Sequence, residues 1–451
     1  MRLDMELVNR IQDLVDAGRR EELCAILKDL HPVDLAELLA QMDSDTARAY
    51  VLLLLPGEDA ALVMQELEYD VQSRLLETLE PSQASRVLEE MSSDDLADLL
   101  AQVQPGRAQE IMELLEDAED VRELLTYKED SAGGIMTTEF IALQEDMTAH
   151  ETIETLRRLA PDAETVYYLY VINGGGRLTG VLSLRDLIVA QPQVLLKDIM
   201  ETNVVSVDVT TDQEEVAKVV SKYDLLAVPV VGHDGVLEGI VTFDDVIDVL
   251  EQEATEDIYR MAGAGSGEAD DLVKGGPWLR MGRRLPWLVI LLFVGFLSAN
   301  VIRGFASTLE SVVALAYFIP VLIDMGGNVG TQSFAVVVRG LATGEVERKD
   351  LIRVMLREAQ VGVLLGVACG TLVALAAFMW QGSPILGAVV GLSMSLTLLI
   401  AAVVGAVVPM VVDRFGMDSA VASGPLITTI IDVSGLLIYF SMATSLMERL
   451  I

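Results

Sequence analysis

The distribution of charge divides this chain into two parts that cannot share one kind of environment. Residues 1–274 hold 20 of the 31 Lys and Arg but 59 of the 69 Asp and Glu, a net charge of −39. Residues 275–451 hold 11 basic and 10 acidic residues and are otherwise strongly apolar. The negative field of the first part attracts cations and repels nucleic acid. We therefore expect an acidic soluble part, with no nucleic-acid partner, followed by a membrane part.

Five stretches of the second part are long enough to cross a bilayer as helices, which takes about 20 apolar residues each. The stretches are approximately 285–307, 312–338, 358–380, 384–412 and 420–447. Basic residues are concentrated before the first stretch, between the second and third, and between the fourth and fifth. By the positive-inside rule, the soluble part is cytoplasmic and the C-terminus lies outside. The two cysteines, Cys24 and Cys369, offer no disulfide framework, which suits a reducing compartment.

Residues 1–130 have the pattern of stacked amphipathic helices. The sequence of residues 34–41, DLAELLAQ, returns at residues 95–102 as DLADLLAQ, and further helical units lie between the two copies. Apolar residues at three- and four-residue spacing, with a turn every dozen residues or so, are typical of an α-solenoid. Such a domain supplies a surface and no chemistry of its own.

Residues 131–250 change to a β-α-β pattern that occurs twice and resembles a tandem pair of CBS domains. Each copy ends in a strand that runs into a helix, with a hydroxyl three residues before an acid: Ser183 and Asp186, then Thr242 and Asp245. CBS pairs commonly bind adenosine nucleotides, so the resemblance implies ATP as a regulatory ligand. Its candidate contacts are Tyr168, Ser183, Arg185 and Asp186. The alternative is that hydroxyl and acid merely cap the closing helix.

An acidic helix connects the CBS-like pair to the first apolar stretch. Between residues 244 and 258 the acids recur at three- and four-residue spacing, so several share one helical face and repel one another. Mg²⁺ takes oxygen ligands, keeps several waters and binds through one or two carboxylates. We interpret the face as a candidate site for divalent cations, against the alternative of an acidic face that is only solvated.

Two acids lie inside apolar stretches, Asp432 in the fifth and Asp324 in the second. An acid at a helix centre costs roughly 3 kcal/mol on insertion scales, so such residues are candidates for an ion pathway. A buried pairing with Thr, or a protonated acid in a helix contact, is the alternative. The proline and glycines of residues 320–330 predict that the second helix is interrupted and frees carbonyls for an ion site.

The order of these segments, together with two motifs, resembles the MgtE family of Mg²⁺ channels. The motifs are Pro320…Gly326-Gly327-Asn328…Gln332 and Asp418…Gly424-Pro425…Asp432…Gly435. The implied fold is multidomain: an α-solenoid N-terminal domain (1–130), an α/β tandem CBS pair (131–250), a connecting helix and linker (251–276) and an all-α five-span transmembrane domain (277–451). The resemblance also implies a homodimer surrounded by lipid in a prokaryotic cell membrane.

In that family the pore lies on the two-fold axis and cytoplasmic Mg²⁺ closes it, so the resemblance implies two groups of metal sites. The pore group is Asp432, Thr428, Gly326, Gly327, Asn328 and Asp418. The regulatory group is Asp94, Asp98, Asp212, Glu214, Asp224, Asp245, Asp248, Glu253, Glu256 and Asp257. One acid of the family corresponds to Leu62 in this chain.

The residues exclude some other functions and leave others open. An intramembrane zinc protease needs a His-Glu-x-x-His helix, but His31, His150 and His233 all lie in the soluble part, so no enzyme is expected. A CBS-linked chloride channel would need more spans. An ion-coupled carrier of Mg²⁺, Mn²⁺ or Co²⁺ stays open, and so does a membrane-anchored adenylate sensor that transports nothing.

Overall fold

The computed structural model describes residues 5–115, 118–159, 163–264 and 275–446. They form two compact units. The boundary between them along the chain falls between residues 250 and 251, inside the helix Phe243–Met261. Part of the predicted linker, residues 265–274, lies outside the described residues, as does Met447 at the end of the predicted fifth span.

The first unit begins with short helices that stack as a solenoid. They are α1 (Met5–Asp16), α2 (Arg20–Leu27), α3 (Pro32–Gln41), α4 (Asp45–Leu52), α5 (Gly57–Gln65), α6 (Tyr69–Thr78), α7 (Pro81–Leu88), α8 (Ser93–Gln102), α9 (Pro105–Met112) and α10 (Ala118–Leu124). Alternate helices pack together: α3 packs on α5, α5 on α7 and α7 on α9. The even-numbered helices do the same, with α4 on α6 and α6 on α8. The two copies of the repeat become α3 and α8, so the predicted solenoid is confirmed.

The CBS-like pair follows as two three-stranded sheets with their helices. The elements are β1 (Ala142–Gln144), α11 (Ala149–Leu159), β2 (Tyr168–Ile172), β3 (Leu178–Ser183), α12 (Leu184–Val189), α13 (Leu196–Ile199), β4 (Val207–Asp208), α14 (Gln213–Tyr223), β5 (Ala227–Val231), β6 (Leu237–Thr242) and α15 (Phe243–Met261). In each sheet the middle strand pairs in parallel with the first and antiparallel with the third.

The two copies hold each other through their leading segments. Thr137, ahead of the first copy, pairs with Ile240 in the last strand of the second, and Glu201 pairs with Val181 in the reciprocal way. The first strand of each copy is short: β1 has three residues and β4 has two, and each pairs with the middle strand of its sheet. The two copies therefore form one interlocked body rather than two separate domains.

Within its described residues, the second unit contains five helices that are long and apolar enough to cross a membrane. Its helices are α16 (Pro277–Gly304), α17 (Ala306–Ser311), α18 (Ile319–Ala342), α19 (Leu351–Gln381), α20 (Pro384–Arg414) and α21 (Gly424–Ser445). Helix α20 packs on α18, α19 and α21, and α18 packs on α21. All of α16 is described and none of its residues is buried within the chain, although the helix touches α21.

The second spanning helix corrects one expectation from the sequence. Helix α18 is continuous, and Pro320 stands in its first turn, where its missing amide costs no hydrogen bond. The glycines instead permit close packing: a Cβ at Gly326 would lie 2.9 Å from Ile431 Cγ2, and one at Gly330 only 2.1 Å from Ile431 Cδ1. The prediction of an interrupted helix is wrong, because these glycines form a groove for α21.

Candidate functional site

Asp432 lies in the ninth position of α21, one turn beyond Thr428 on the same face. Its side chain is half-buried, and its Oδ1 is fully buried with no hydrogen-bond partner among the described residues. The Thr428 hydroxyl donates to the Pro425 carbonyl at 2.9 Å and so does not bind Asp432. Leaving a buried acceptor unpaired costs about 1–3 kcal/mol, more for a charged group. Asp432 Oδ1 is therefore available to an external hydrogen-bond donor or to a cation.

The motif glycines of α18 stand directly against this part of α21. A Cβ at Gly327 would lie 3.3 Å from Thr428 Cγ2. Asn328 is exposed and donates to Asp324 Oδ2 at 3.3 Å, so the second acid forms a polar pair along α18. The structure thus brings Gly326, Gly327 and Thr428 together and leaves Asn328 on an exposed face.

Thr397 of α20 was not singled out from the sequence, yet it lies between both motifs. A Cβ at Gly326 would be 3.1 Å from Thr397 Cγ2, and one at Gly435 would be 3.0 Å from the same atom. The side chain is buried and its hydroxyl has no partner among the described residues. A threonine in an apolar helix carries no special sequence signal, so only the packing reveals it.

Asp418 lies apart from Asp432. It precedes α21, accepts a hydrogen bond from the Ala420 amide at 2.8 Å and forms an ion pair with Arg260. Arg260 also binds Glu256, so one arginine at the end of α15 joins an acid of the connecting helix to an acid of the membrane domain. At 1.5 Å per residue, Asp432 lies about 12 Å along the axis from the start of α21. Arg260 was missed, although a lone cation after a run of acids was a usable signal.

Three predicted regulatory acids meet in the first unit: Asp94 and Asp98 on α8, and Asp245 at the start of α15. Burial, followed by the charges of Asp245 and Asp95, raises the pKa of Asp94 well above its usual range. Burial and the charge of Asp95 raise the pKa of Asp98 to about 7. Burial likewise raises the pKa of Asp245 to about 6, against the hydrogen bond from Thr242. We call Asp94, Asp98 and Asp245 the acid cluster.

Further acids surround the acid cluster. Glu164 has a raised pKa, from burial and then from the charge of Asp245, and its distance along the chain hid it from sequence reasoning. Asp95 accepts hydrogen bonds from Ser92 Oγ at 2.7 Å and Gln65 Nε2 at 2.8 Å. Leu62 on α5 is 48 % exposed, and no carboxylate is supplied there. Among the described residues, no three His, Cys, Asp or Glu converge as a complete metal ligand set, whereas Mg²⁺ needs only one or two carboxylates with water.

The other predicted regulatory acids lie at separate places. Asp212 caps α14 by accepting from the Glu214 amide at 3.0 Å, and Glu214 forms an ion pair with Lys218 at 2.8 Å. Asp224 ends the same helix in a left-handed conformation with φ of 52°. The ends of this helix are about 16 Å apart, so one chain does not combine these acids into a single site. The remaining four lie on α15: Asp248, Glu253, Glu256 and Asp257.

The nucleotide candidates are close together, but two of them also cap a helix. Tyr168 and Ser183 face each other across β2 and β3. The Ser183 hydroxyl donates to Asp186 Oδ2 at 2.6 Å and accepts from the Asp186 amide at 3.1 Å. Arg185 and Asp186 are exposed. The capping alternative is therefore realised, and it leaves an exposed polar surface beside Tyr168.

Comparison with protein families gives three kinds of match along the chain. Residues 30–130 match the MgtE intracellular N domain, residues 132–192 and 196–252 each match a CBS domain, and residues 319–442 match MgtE, described as a divalent cation transporter. The last match contains both membrane motifs, including Gly326, Asp418 and Asp432.

Relatives match the chain over nearly its full length. The magnesium transporter MgtE of Thermus thermophilus is 44% identical over 99% of this chain and 100% of the relative. That of Bacillus subtilis is 39% identical over 99% of this chain and 98% of the relative. A crystal structure of the cytosolic domain of the Mg²⁺ channel MgtE in complex with ATP is 45% identical and covers 54% of this chain and 99% of that one, with a TM-score of 0.52. The chain is a multi-pass membrane protein of the MgtE family of divalent cation transporters, not an enzyme.

Proposed function

We propose that this protein is a Mg²⁺ channel in a prokaryotic plasma membrane and admits Mg²⁺ along a path lined by Asp432. The observation that carries the proposal is the buried, unpartnered Oδ1 of Asp432 beside Thr428 and the groove of α18. The names of the two long relatives identify the cargo as Mg²⁺. Because Mg²⁺ sheds water reluctantly, the carboxylate acts on the hydrated ion, and selection is by charge and by the size of the hydrated complex.

The proposed pore needs a second copy of the chain. One Asp432 supplies a single carboxylate, whereas two across a two-fold axis enclose a hydrated divalent ion. The unburied surface of α16 supports this arrangement, since lipid and a second subunit are the environments that suit it. In this proposal the first unit, called the soluble unit below, is on the cytoplasmic side, and the second unit, called the membrane unit below, spans the bilayer. The basic residues between the spans support this orientation.

Cytoplasmic Mg²⁺ closes the proposed channel through the acid cluster. Without a cation, Asp94, Asp98 and Asp245 repel one another in a poorly hydrated space, as their raised pKa values indicate. A bound Mg²⁺ removes this repulsion and favours the compact arrangement of the helical domain and CBS pair. A shift from 1:99 to 99:1 takes about 5.5 kcal/mol of differential binding, which several sites together can supply. ATP binds the exposed surface around Tyr168 and Arg185.

The test of the function is Mg²⁺ influx into proteoliposomes that contain a Mg²⁺ dye and are held at an inside-negative potential. A divalent ion gains about 4.6 kcal/mol per 100 mV, so a channel needs no other energy source. Influx that a proton ionophore leaves intact supports the channel. Influx that the ionophore abolishes would indicate a proton-coupled carrier, and no influx from well-inserted protein at low Mg²⁺ would indicate a sensor that does not transport.

The acid cluster makes the stability of the soluble unit depend on pH. Asp98 has a folded-state pKa of about 7 against an ordinary value of 3.8, so its folded form binds a proton that the unfolded chain has lost. The contribution of protonated Asp98 to the stability of the folded form is therefore complete below about pH 4. It is lost as the pH rises through 7. We expect Asp98→Asn in the full chain to raise the unfolding temperature at pH 8 without metal by about 3–6 °C, corresponding to 1–2 kcal/mol.

Differential scanning calorimetry at pH 5 and pH 8 measures this effect. At pH 5 the variant and the parent are expected to differ less than at pH 8, and Mg²⁺ at pH 8 stabilises the parent more than the variant. Glu37→Gln is the matched control, because Glu37 occupies the same repeat position on α3 but is exposed. Equal effects of the two substitutions would contradict the acid cluster.

A further inference from the structure

A cavity of about 550 Å³ lies within the helical domain, away from the acid cluster. It is bounded by α2, the loop after α4, the start of α5, and α7. Its accessible apolar lining includes Leu53, Leu54 and Leu55, which are half-buried. The volume falls within the range of about 300–1,000 Å³ that is typical of small-molecule sites.

Three cations line this cavity: Arg20, Lys28 and Arg86. Their presence is unusual, because residues 1–130 hold 11 Lys and Arg against 32 Asp and Glu. Two acids, Asp59 and Glu90, also line the cavity, which leaves the wall with a net charge of +1 inside a domain of net charge −21. The cavity wall is therefore positively charged, whereas the domain around it is strongly negative.

The cations of the cavity have no protein counter-ion among the described residues. Four other arginines of the domain form ion pairs with carboxylates, and none of them lines the cavity: Arg19, Arg48, Arg74 and Arg107. Arg86 stands one turn from Glu90 without an ion pair to it. Arg10, Arg122 and Lys128 of this domain likewise form no ion pair among the described residues. The distinguishing feature of the other three cations is that they converge on one cavity, where their donors can bind a single external anion.

We propose that this cavity binds a small organic anion, with a phosphate or carboxylate head on Arg20, Lys28 and Arg86 and an apolar body over Leu53, Leu54 and Leu55. The proposal is independent of Mg²⁺ transport and of nucleotide binding to the CBS pair. Cys24, half-buried in the same wall, provides an internal reporter. The chain has only one other cysteine, Cys369.

The test uses the full-length Cys369→Ser protein in Mg²⁺-free buffer at constant ionic strength. N-ethylmaleimide alkylates Cys24, and mass spectrometry gives the rate with and without each probe. The probes are phenyl phosphate, benzoate and the uncharged analogue phenol. We expect phenyl phosphate, benzoate or both to slow alkylation at least about threefold, because a cavity ligand excludes the reagent, while phenol has no effect. The more protective anion identifies the head group.

Two triple variants distinguish a specific anion-binding site from a general effect of removing positive charge. Arg20→Gln/Lys28→Gln/Arg86→Gln is expected to abolish the protection. A matched variant, Arg10→Gln/Arg122→Gln/Lys128→Gln, removes three exposed cations outside the cavity and is expected to retain it. Each comparison is a ratio within one variant, so a changed thiol reactivity cancels. Absence of protection by both anions, equal protection by phenol, or protection that survives the first triple would overturn the proposal.

Discussion

Replacing Asp432 with Asn is expected to lower Mg²⁺ influx into proteoliposomes by about 100-fold or more. A contact to a charged group is worth about 1.5–3 kcal/mol. The proposed two-fold pore loses two such contacts, and each 1.4 kcal/mol is a factor of ten. Asn keeps the shape of the side chain but removes its charge. Because Asp432 Oδ1 is buried and unpartnered among the described residues, the substitution also removes an unfavourable buried charge. We therefore expect unfolding at the same or a higher temperature.

Two companion variants separate loss of charge from loss of structure. Asp432→Glu retains the carboxylate on a longer side chain and is expected to keep part of the influx. Asp98→Asn leaves the pore unchanged and should conduct at low Mg²⁺ while it closes less readily at high Mg²⁺. Calorimetry checks that the Asp432→Asn protein folds and that Mg²⁺ still stabilises its soluble unit. Undiminished influx through a folded Asp432→Asn protein would remove Asp432 from the ion path.

Features that depend on neighbouring residues in the chain were predictable from the sequence. The fourth span was expected at 384–412 and is Pro384–Arg414, because Ser383 caps the helix and Pro384 suits its first turn. The repeat of eight residues became α3 and α8, both of which end at the last glutamine of the repeat. In the first CBS copy the closing motif likewise formed the cap that was given as an alternative to ligand binding.

Features that depend on distant residues were not predictable in this way. Glycine inside a helix reads as a breaker, yet Gly326 and Gly330 lie in a continuous helix because Ile431 fills the space above them. The Arg260–Asp418 ion pair joins residues 158 positions apart, so no local pattern indicates it. Glu164 approaches Asp245 only because the CBS copies interlock. In each case the missing information is which surfaces meet.

A single methyl group at the contact between α18 and α20 is expected to destabilise the protein strongly. A Cβ at Gly405 would lie 2.2 Å from the Gly330 carbonyl oxygen and 3.1 Å from Ser333 Cβ. A backbone carbonyl cannot rotate away as a side chain can, so the helices must separate. Overpacking a core costs about 1–3 kcal/mol. We expect Gly405→Ala to destabilise the membrane unit by at least this amount in thermal unfolding.

The same displacement should reach the proposed ion pathway. Gly330 packs on Ile431, the residue before Asp432, and Ser333 donates to Glu358 Oε2 at 2.7 Å. Moving α18 away from α20 therefore presses on Ile431 and strains that hydrogen bond, so Mg²⁺ influx should fall together with stability. Gly295→Ala in α16 is the matched control, because a Cβ there has nothing within 4 Å in the chain and alanine favours a helix by about 1 kcal/mol. If both variants melted and conducted alike, close packing of α18 would not be what positions Asp432.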